Sequence, residues 1–204
     1  MIKSVSYFDA VAAAFFAMGS AVTGETISFD EFGPQPFIFD DQSPLDTQYA
    51  ALGVTFSGGW EILDDLSFKP GARSGGSVAA FNTINTGITD TLTMQFSQDI
   101  ASIKAYVGAF DPGIWTVSGF LNGKLEQQAE FGSPAETRVQ IGLEGRFDRV
   151  TVLGETLGPL TTVEGSLDDL SFKFSPIPLP PAVGLLGAGL TSMVILRRQR
   201  RQSI

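Results

Sequence analysis

This sequence predicts an all-β fold, a single antiparallel β-sandwich of jelly-roll type, and three observations predict it. Short segments alternate apolar and polar residues with period two, Gly and Pro interrupt them at regular intervals, and no stretch between Glu25 and Phe174 keeps a helical period. Many short strands spaced in this way form a sandwich or a barrel. Two flanking segments depart from the pattern, so the chain divides into 1–21, 22–175 and 176–204.

The first segment has the form of an export signal. Lys3 provides a positive start, "AVAAAFFAMG" (10–19) an apolar stretch, and Gly19-Ser20-Ala21 a small-residue cleavage point after Ala21. The other reading is an N-terminal helix of the folded domain, but "ETISFDEF", which follows, already alternates like a strand. Within the body, "GVTFSG" (53–58), "TLTMQF" (91–96), "ASIKAYVGAF" (101–110) and "IWTVSGFL" (114–121) read as strands. "TRVQIGL" (137–143), "RFDRVTVLG" (146–154) and "LDDLSFKF" (167–174) continue the series. In 91–96, Leu92, Met94 and Phe96 point to one face and Thr91, Thr93 and Gln95 to the other, a strand with one wet side. Asn122-Gly123 in "FLNGKLEQ" predicts a tight hairpin, because both residues tolerate positive φ.

Composition narrows the chemistry. There is no cysteine and no histidine, so disulfides, thiolate catalysis and the commonest general base and zinc ligand are absent. The stretch 22–175 carries 8 basic and 21 acidic residues, a net −13 that repels nucleic acid. Acids are abundant, yet distance along the chain cannot reveal a glycosidase pair separated by about 5–10 Å. No acid–base constellation stands out, and the reading is of a protein that is not an enzyme.

Two groups of residues are candidates for binding. Asp30 and Glu31 open the first strand region, Asp168 and Asp169 lie in the last, and chain ends of a domain tend to lie close together. These four could supply hard oxygen ligands to a structural calcium that ties the terminal strands together, although alternation lets only some of each pair face the same way. Asp40-Asp41 and Asp64-Asp65 fall in expected loops and are weaker candidates. Among the aromatics, Trp115 shares a strand face with Val117 and reads as core, as do Tyr49 and Tyr106. Trp60 follows "SGG" in a turn-like context and is the candidate for a surface ligand contact, such as stacking on a sugar ring. The hexapeptide "DDLSFK" occurs at 64–69 and again at 168–173, but the flanks diverge at once, so it is no structural repeat.

The last segment is a short membrane span. From Ala182 to Leu196 there are 15 uncharged residues, about 22 Å of helix at 1.5 Å per residue. That is short for a hydrocarbon core of about 30 Å, though thinning and snorkelling can accommodate it. Arg197, Arg198, Arg200 and Arg201 follow directly as a stop-transfer cluster, which places the C-terminus on the cytoplasmic side and the body outside.

This three-part tail, a Pro-rich motif, a short Gly/Leu span and terminal arginines, resembles the PEP-CTERM class of bacterial sorting signals, in particular its VPLPA-CTERM variant. "IPLPP" (177–181) stands at the motif, with Ile177 in place of Val and Pro181 in place of Ala. The resemblance covers about 28 residues. The body is similar, more loosely, to galactose-binding-like jelly rolls, with "YAALGVTFSG", "SGGSVAAF", "FLNGKLEQ" and "SLDDLSF" in the expected order. What the tail implies is export through the general secretion machinery and a precursor held in the inner membrane, its body on the periplasmic side. Cleavage near Pro178, Leu179 and Pro180 by an exosortase would follow, with release to the cell surface or the exopolysaccharide matrix of a biofilm. Polysaccharide is the expected partner of the body. The alternatives are a permanently anchored adhesive or structural domain, and an enzyme acting on polysaccharide.

Overall fold

The computed structural model describes residues 24–33, 35–36, 43–67, 70–83, 88–157 and 163–176. The expected signal peptide and the sorting motif, span and arginine cluster at 177–204 lie outside the described residues. Among the described residues no helix is long and apolar enough to cross a membrane. By contact, Val22–Ser175 forms one compact unit.

The described residues hold nine strands and three short 3-10 turns. In chain order the strands are β1 (Gly24–Ile27), β2 (Val54–Ser57), β3 (Glu61–Asp64), β4 (Ser77–Thr83), β5 (Leu92–Ala109), β6 (Gly113–Leu121), β7 (Lys124–Ser133), β8 (Val139–Thr156) and β9 (Val163–Phe174). Every pairing is antiparallel. The order is β3-β4-β9-β5-β8-β6-β7, with β1 added beside β9 and β2 beside β5.

A sandwich is ordinarily built of two separate sheets, and this one departs from that plan. Hydrogen bonding runs continuously through one nine-stranded sheet, which folds over on itself. The reason lies in β5 and β8, each 18 residues long. Residues 92–95 of β5 pair with 149–152 of β8, whereas residues 100–107 pair with 139–147. A register shift between Gln95 and Ile100 separates the two stretches, and a second follows between Ile100 and Ser102. Irregularities of this kind let one strand turn a corner and serve two layers. The first layer contains β2, the start of β5, the end of β8, β6 and β7. The second contains β3, β4, β1, β9, the end of β5 and the start of β8.

The two inner faces meet. Met94, Val117 and Val152 from the first layer and Ile103, Ala105, Ile141 and Leu170 from the second line one void of ≈ 10 Å³, too small to loosen the packing. Alternation works as predicted along 91–96: Leu92, Met94 and Phe96 are buried while Gln95 is exposed. Phe147 fills the corner of β8. Its ring sits where a Cβ on Gly119 or Gly145 would lie, 2.5 and 2.7 Å away, so both positions require glycine. The β6–β7 hairpin turns at Asn122 (φ 52°) and Gly123 (φ 78°), the geometry that this dipeptide predicts.

Candidate functional site

β1 pairs with β9, Gly24 facing Lys173 and Ile27 facing Leu170, so the first and last strands are neighbours. Three of the four candidate carboxylates, Asp30, Asp168 and Asp169, bond to one loop of the protein itself, residues 70–77. Asp168 Oδ2 accepts the Arg73 N–H at 2.6 Å and the Ser74 N–H at 3.1 Å. Asp30 Oδ1 accepts the Gly76 N–H at 2.8 Å and the Ser77 N–H at 3.0 Å. Asp65, from the other copy of the hexapeptide, accepts the Ala72 N–H at 2.9 Å. Asp169 pairs with the Arg73 guanidinium and accepts the Ser74 hydroxyl at 2.6 Å. Five loop N–H groups are thus satisfied by three carboxylates from distant parts of the chain, bonds of the charge-assisted kind.

Glu31 stands apart from this group. It accepts the Tyr49 hydroxyl at 2.8 Å and a longer bond from the Ser28 N–H. Beside Glu31, the buried Tyr49 phenol is pushed far above its ordinary value, by burial first and the neighbouring carboxylate second. Among the described residues no group of three or more Asp, Glu, His or Cys is arranged to hold a metal ion. Asp40-Asp41 lies outside the described residues.

Strict alternation would send Asp168 and Asp169 to opposite faces. A bulge overcomes this. Tyr106 of β5 faces Asp168 and Lys104 faces Ser171, so β9 holds one residue more than its partner, and Asp169 takes a left-handed conformation (φ 47°). Both carboxylates therefore reach the same loop. Asp168 is fully buried, and burial raises its pKa, opposed by the N–H donors of Ser74, Arg73 and Asp169 and by Arg138. Arg138 was not evident from the sequence. Its guanidinium donates to the carbonyls of Gly71 (2.8 Å) and Pro70 (3.3 Å), so it holds the loop from its far side. Burial lowers the pKa of Arg138, and the charges of Asp168, Asp169 and Asp65 oppose that shift. Beneath the loop, Ala72 packs on Leu63, Val78 and Ala80, a small core outside the main one. The outer face of the second layer is covered there, and Arg73 lies over the half-buried Tyr106 ring at 3.9 Å.

Trp60 is a correction. It has no exposed surface and lies within the main core, its ring 6.1 Å from Phe81 and 6.5 Å from Trp115. The indole N–H donates to the Asp90 carbonyl at 3.0 Å. The turn read from "SGG" exists, with Gly58 and Gly59 at positive φ, but it turns the chain inward. A large apolar ring with its one polar group satisfied is stable there. Trp115 and Tyr49 are buried, as expected of core residues.

The first layer presents the contrasting face. Outward from β6 point Ile114, Thr116, Ser118 and Phe120, opposite to Trp115 and Val117. In register beside them stand Glu155, Leu153, Thr151 and Arg149 of β8, and Glu130 and Gln128 of β7. Thr93 and Gln95 of β5 and Thr55 and Ser57 of β2 extend the rows. These side chains are half-buried or exposed. Hydroxyls and amides recur at the interstrand spacing of about 4.8 Å, and Arg149 stacks over the Phe120 ring at 4.3 Å. By contrast, the cleft of ≈ 200 Å³ beside Lys104, Phe131, Gln140 and Glu144 is small against about 300–1,000 Å³ for ordinary ligand pockets. The open face is the candidate functional site.

No family model and no curated protein matches the chain. Solved structures to which the chain is similar include the K2 cleaved adhesin domain of Lys-gingipain, 12% identical, covering 74% of this chain and 99% of that one, TM-score 0.47. TmCBM61, solved with β-1,4-galactotriose, is 11% identical over 66% of this chain and 95% of its own, TM-score 0.36. CBM29_1, a family 29 carbohydrate binding module from Piromyces equi, is 11% identical over 60% and 91%, TM-score 0.32. Likeness at this level assigns this chain no ligand.

Proposed function

We propose that this chain is a non-catalytic exported protein whose jelly-roll sandwich holds an extended polysaccharide against the open face of its first layer. The observation that carries this reading is the asymmetry between the two outer faces. One is partly covered by a loop fastened with three carboxylates, while the other presents five strands of hydroxyl and amide side chains around Phe120. Hydroxyls and amides both donate and accept, which suits sugar hydroxyls, and the half-buried Phe120 ring, with Arg149 over one face, adds apolar contact for a pyranose. No histidine or cysteine is present to act as base or nucleophile. Affinity electrophoresis in gels containing soluble polysaccharides tests the reading. The protein is retarded by at least one polymer, and Phe120→Ala abolishes the retardation while the melting temperature barely moves. Retardation by none, or full retention of binding in Phe120→Ala, refutes the assignment to this face.

Delivery is part of the same proposal. The segment 1–21 directs secretion, and 176–204 anchors a precursor that an exosortase cuts near Pro178, Leu179 and Pro180, placing the body at the cell surface or in the matrix. Intact-mass spectrometry of the mature protein is expected to show loss of everything beyond that motif. A mature mass that retains Arg197, Arg198, Arg200 and Arg201 supports the permanently anchored domain instead.

A further inference from the structure

We propose that the open face selects uncharged polysaccharide and rejects polyanions, an inference that rests on the polysaccharide reading above and specifies its substrate class. Two carboxylates stand on the face in register with β6: Glu130 opposite Thr116 and, toward the start of that strand, Glu155 opposite Ile114. At the hairpin rim, Asp148 accepts the Asn122 N–H at 2.6 Å. The cation of the face, Arg149, lies over the Phe120 ring. At the edge, Lys124 is within 3.6 Å of Glu126, so its charge is locally offset. Behind the face, residues 22–175 carry a net −13.

A polyuronate would bring a row of carboxylates against this field and find Arg149 as its main counter-charge. Like-charge repulsion over a whole face costs association rate and affinity together. An uncharged glycan meets none of that repulsion. Its hydroxyls can bond Thr116, Ser118, Thr151, Thr93, Gln95 and Gln128, whose groups act as donor or acceptor as required. Because hydrogen bonds and apolar contact are little screened, that binding persists in salt, whereas repulsion of the polyanion fades once the Debye length falls below about 10 Å.

The test compares retardation of the full chain by an uncharged β-glucan or galactan, a polyuronate and a polyglucosamine, each at roughly 20 mM and roughly 500 mM NaCl. The uncharged polymer is expected to retard the protein equally at both salts. The polyuronate is expected to bind at least about tenfold more weakly at low salt, with the gap narrowing at high salt. The double variant Glu130→Gln, Glu155→Gln is expected to narrow the gap at low salt as well. Polyuronate binding as tight as or tighter than uncharged polymer overturns the selectivity and leaves the polysaccharide reading standing. Binding to polyglucosamine alone, lost in high salt, overturns the selectivity as well, since charge would then be the attraction. Binding to none overturns both.

Discussion

Leu66 and Leu170 hold the same place in two copies of one hexapeptide, 64–69 and 168–173, yet Leu66 is 86% exposed and Leu170 fully buried. In the first copy, Asp64 ends β3 and accepts the Leu66 N–H at 2.9 Å, a local bond that accompanies the 3-10 turn Asp65–Ser67. In the second, Asp168 reaches across the sequence to a loop some 95 residues earlier. The first copy runs into Pro70-Gly71, where proline cannot donate to a ladder. The second lies inside β9, paired with β5 on one edge and with β4 and β1 on the other. Local sequence is identical, so the partners decide the conformation. The copies still share one target, since Asp65 and Asp168 each accept an N–H from the loop 70–77.

If partners decide, removing the loop contacts should affect the buried copy far more than the exposed one. Asp168→Ala orphans three part-buried N–H groups, those of Arg73, Ser74 and Asp169, and calorimetric or denaturant unfolding is expected to show a loss on the order of 3 kcal/mol. Gly75→Ala attacks the loop from the other side. Gly75 has φ +58° and a Cβ there would fall 1.9 Å from the Asp30 carboxylate, so a loss of about 1–3 kcal/mol is expected, with Asp30 displaced. Asp65→Asn removes a charge-assisted acceptor for one N–H and is expected to cost about 1 kcal/mol. Arg73→Ala comes last. Its side chain is about half exposed, and its pairing with Asp169 is screened by solvent, so the melting temperature should hardly change.

A pH series sharpens the same contrast. The buried Asp168 carboxyl has its pKa raised by desolvation. A group that holds its proton more tightly when folded favours folding at low pH, and that contribution is lost as the pH rises through its raised pKa. Asp168→Asn cannot titrate. The wild-type advantage over Asp168→Asn should therefore widen as the pH falls from 7 toward 4, as read from paired melting curves. An advantage that shrinks on acidification would contradict the assigned cause.

Much of the first layer was legible in the sequence because its strands have one wet face. Residues 91–96 and 114–121 alternate cleanly, and the hairpin announces itself in Asn122-Gly123. Strands β3 and β4 were not legible, since both of their faces are covered. Ile62 and Ala79 enter the main core while Leu63, Val78 and Ala80 enter the small one, so neither strand alternates. The segments 91–96 and 101–110, and likewise 137–143 and 146–154, read as separate strands because polar residues interrupt them. In the fold those interruptions are the corners of β5 and β8, where pairing continues through a bend. The carboxylates were recognised as a group, but not their target. A bulge that turns Asp169 toward Asp168, and an arginine contributed from residue 138, leave no periodic trace. The open face lay hidden among ordinary outward Thr, Ser and Gln, which become a surface only when register sets them side by side.

The pairing of Gly24 with Lys173 has a mechanical consequence. The body's first and last strands leave from the same edge of the ladder, side by side. A pull separating these two ends would open β1 from β9 like a zipper, loading one hydrogen bond after another. A pull between the open face and the end of β9 is different, because β9 is bonded along both edges and all of its bonds would resist in shear at once. A body tethered through its C-terminal end and gripping a polymer on its face would be loaded in that second, stronger direction.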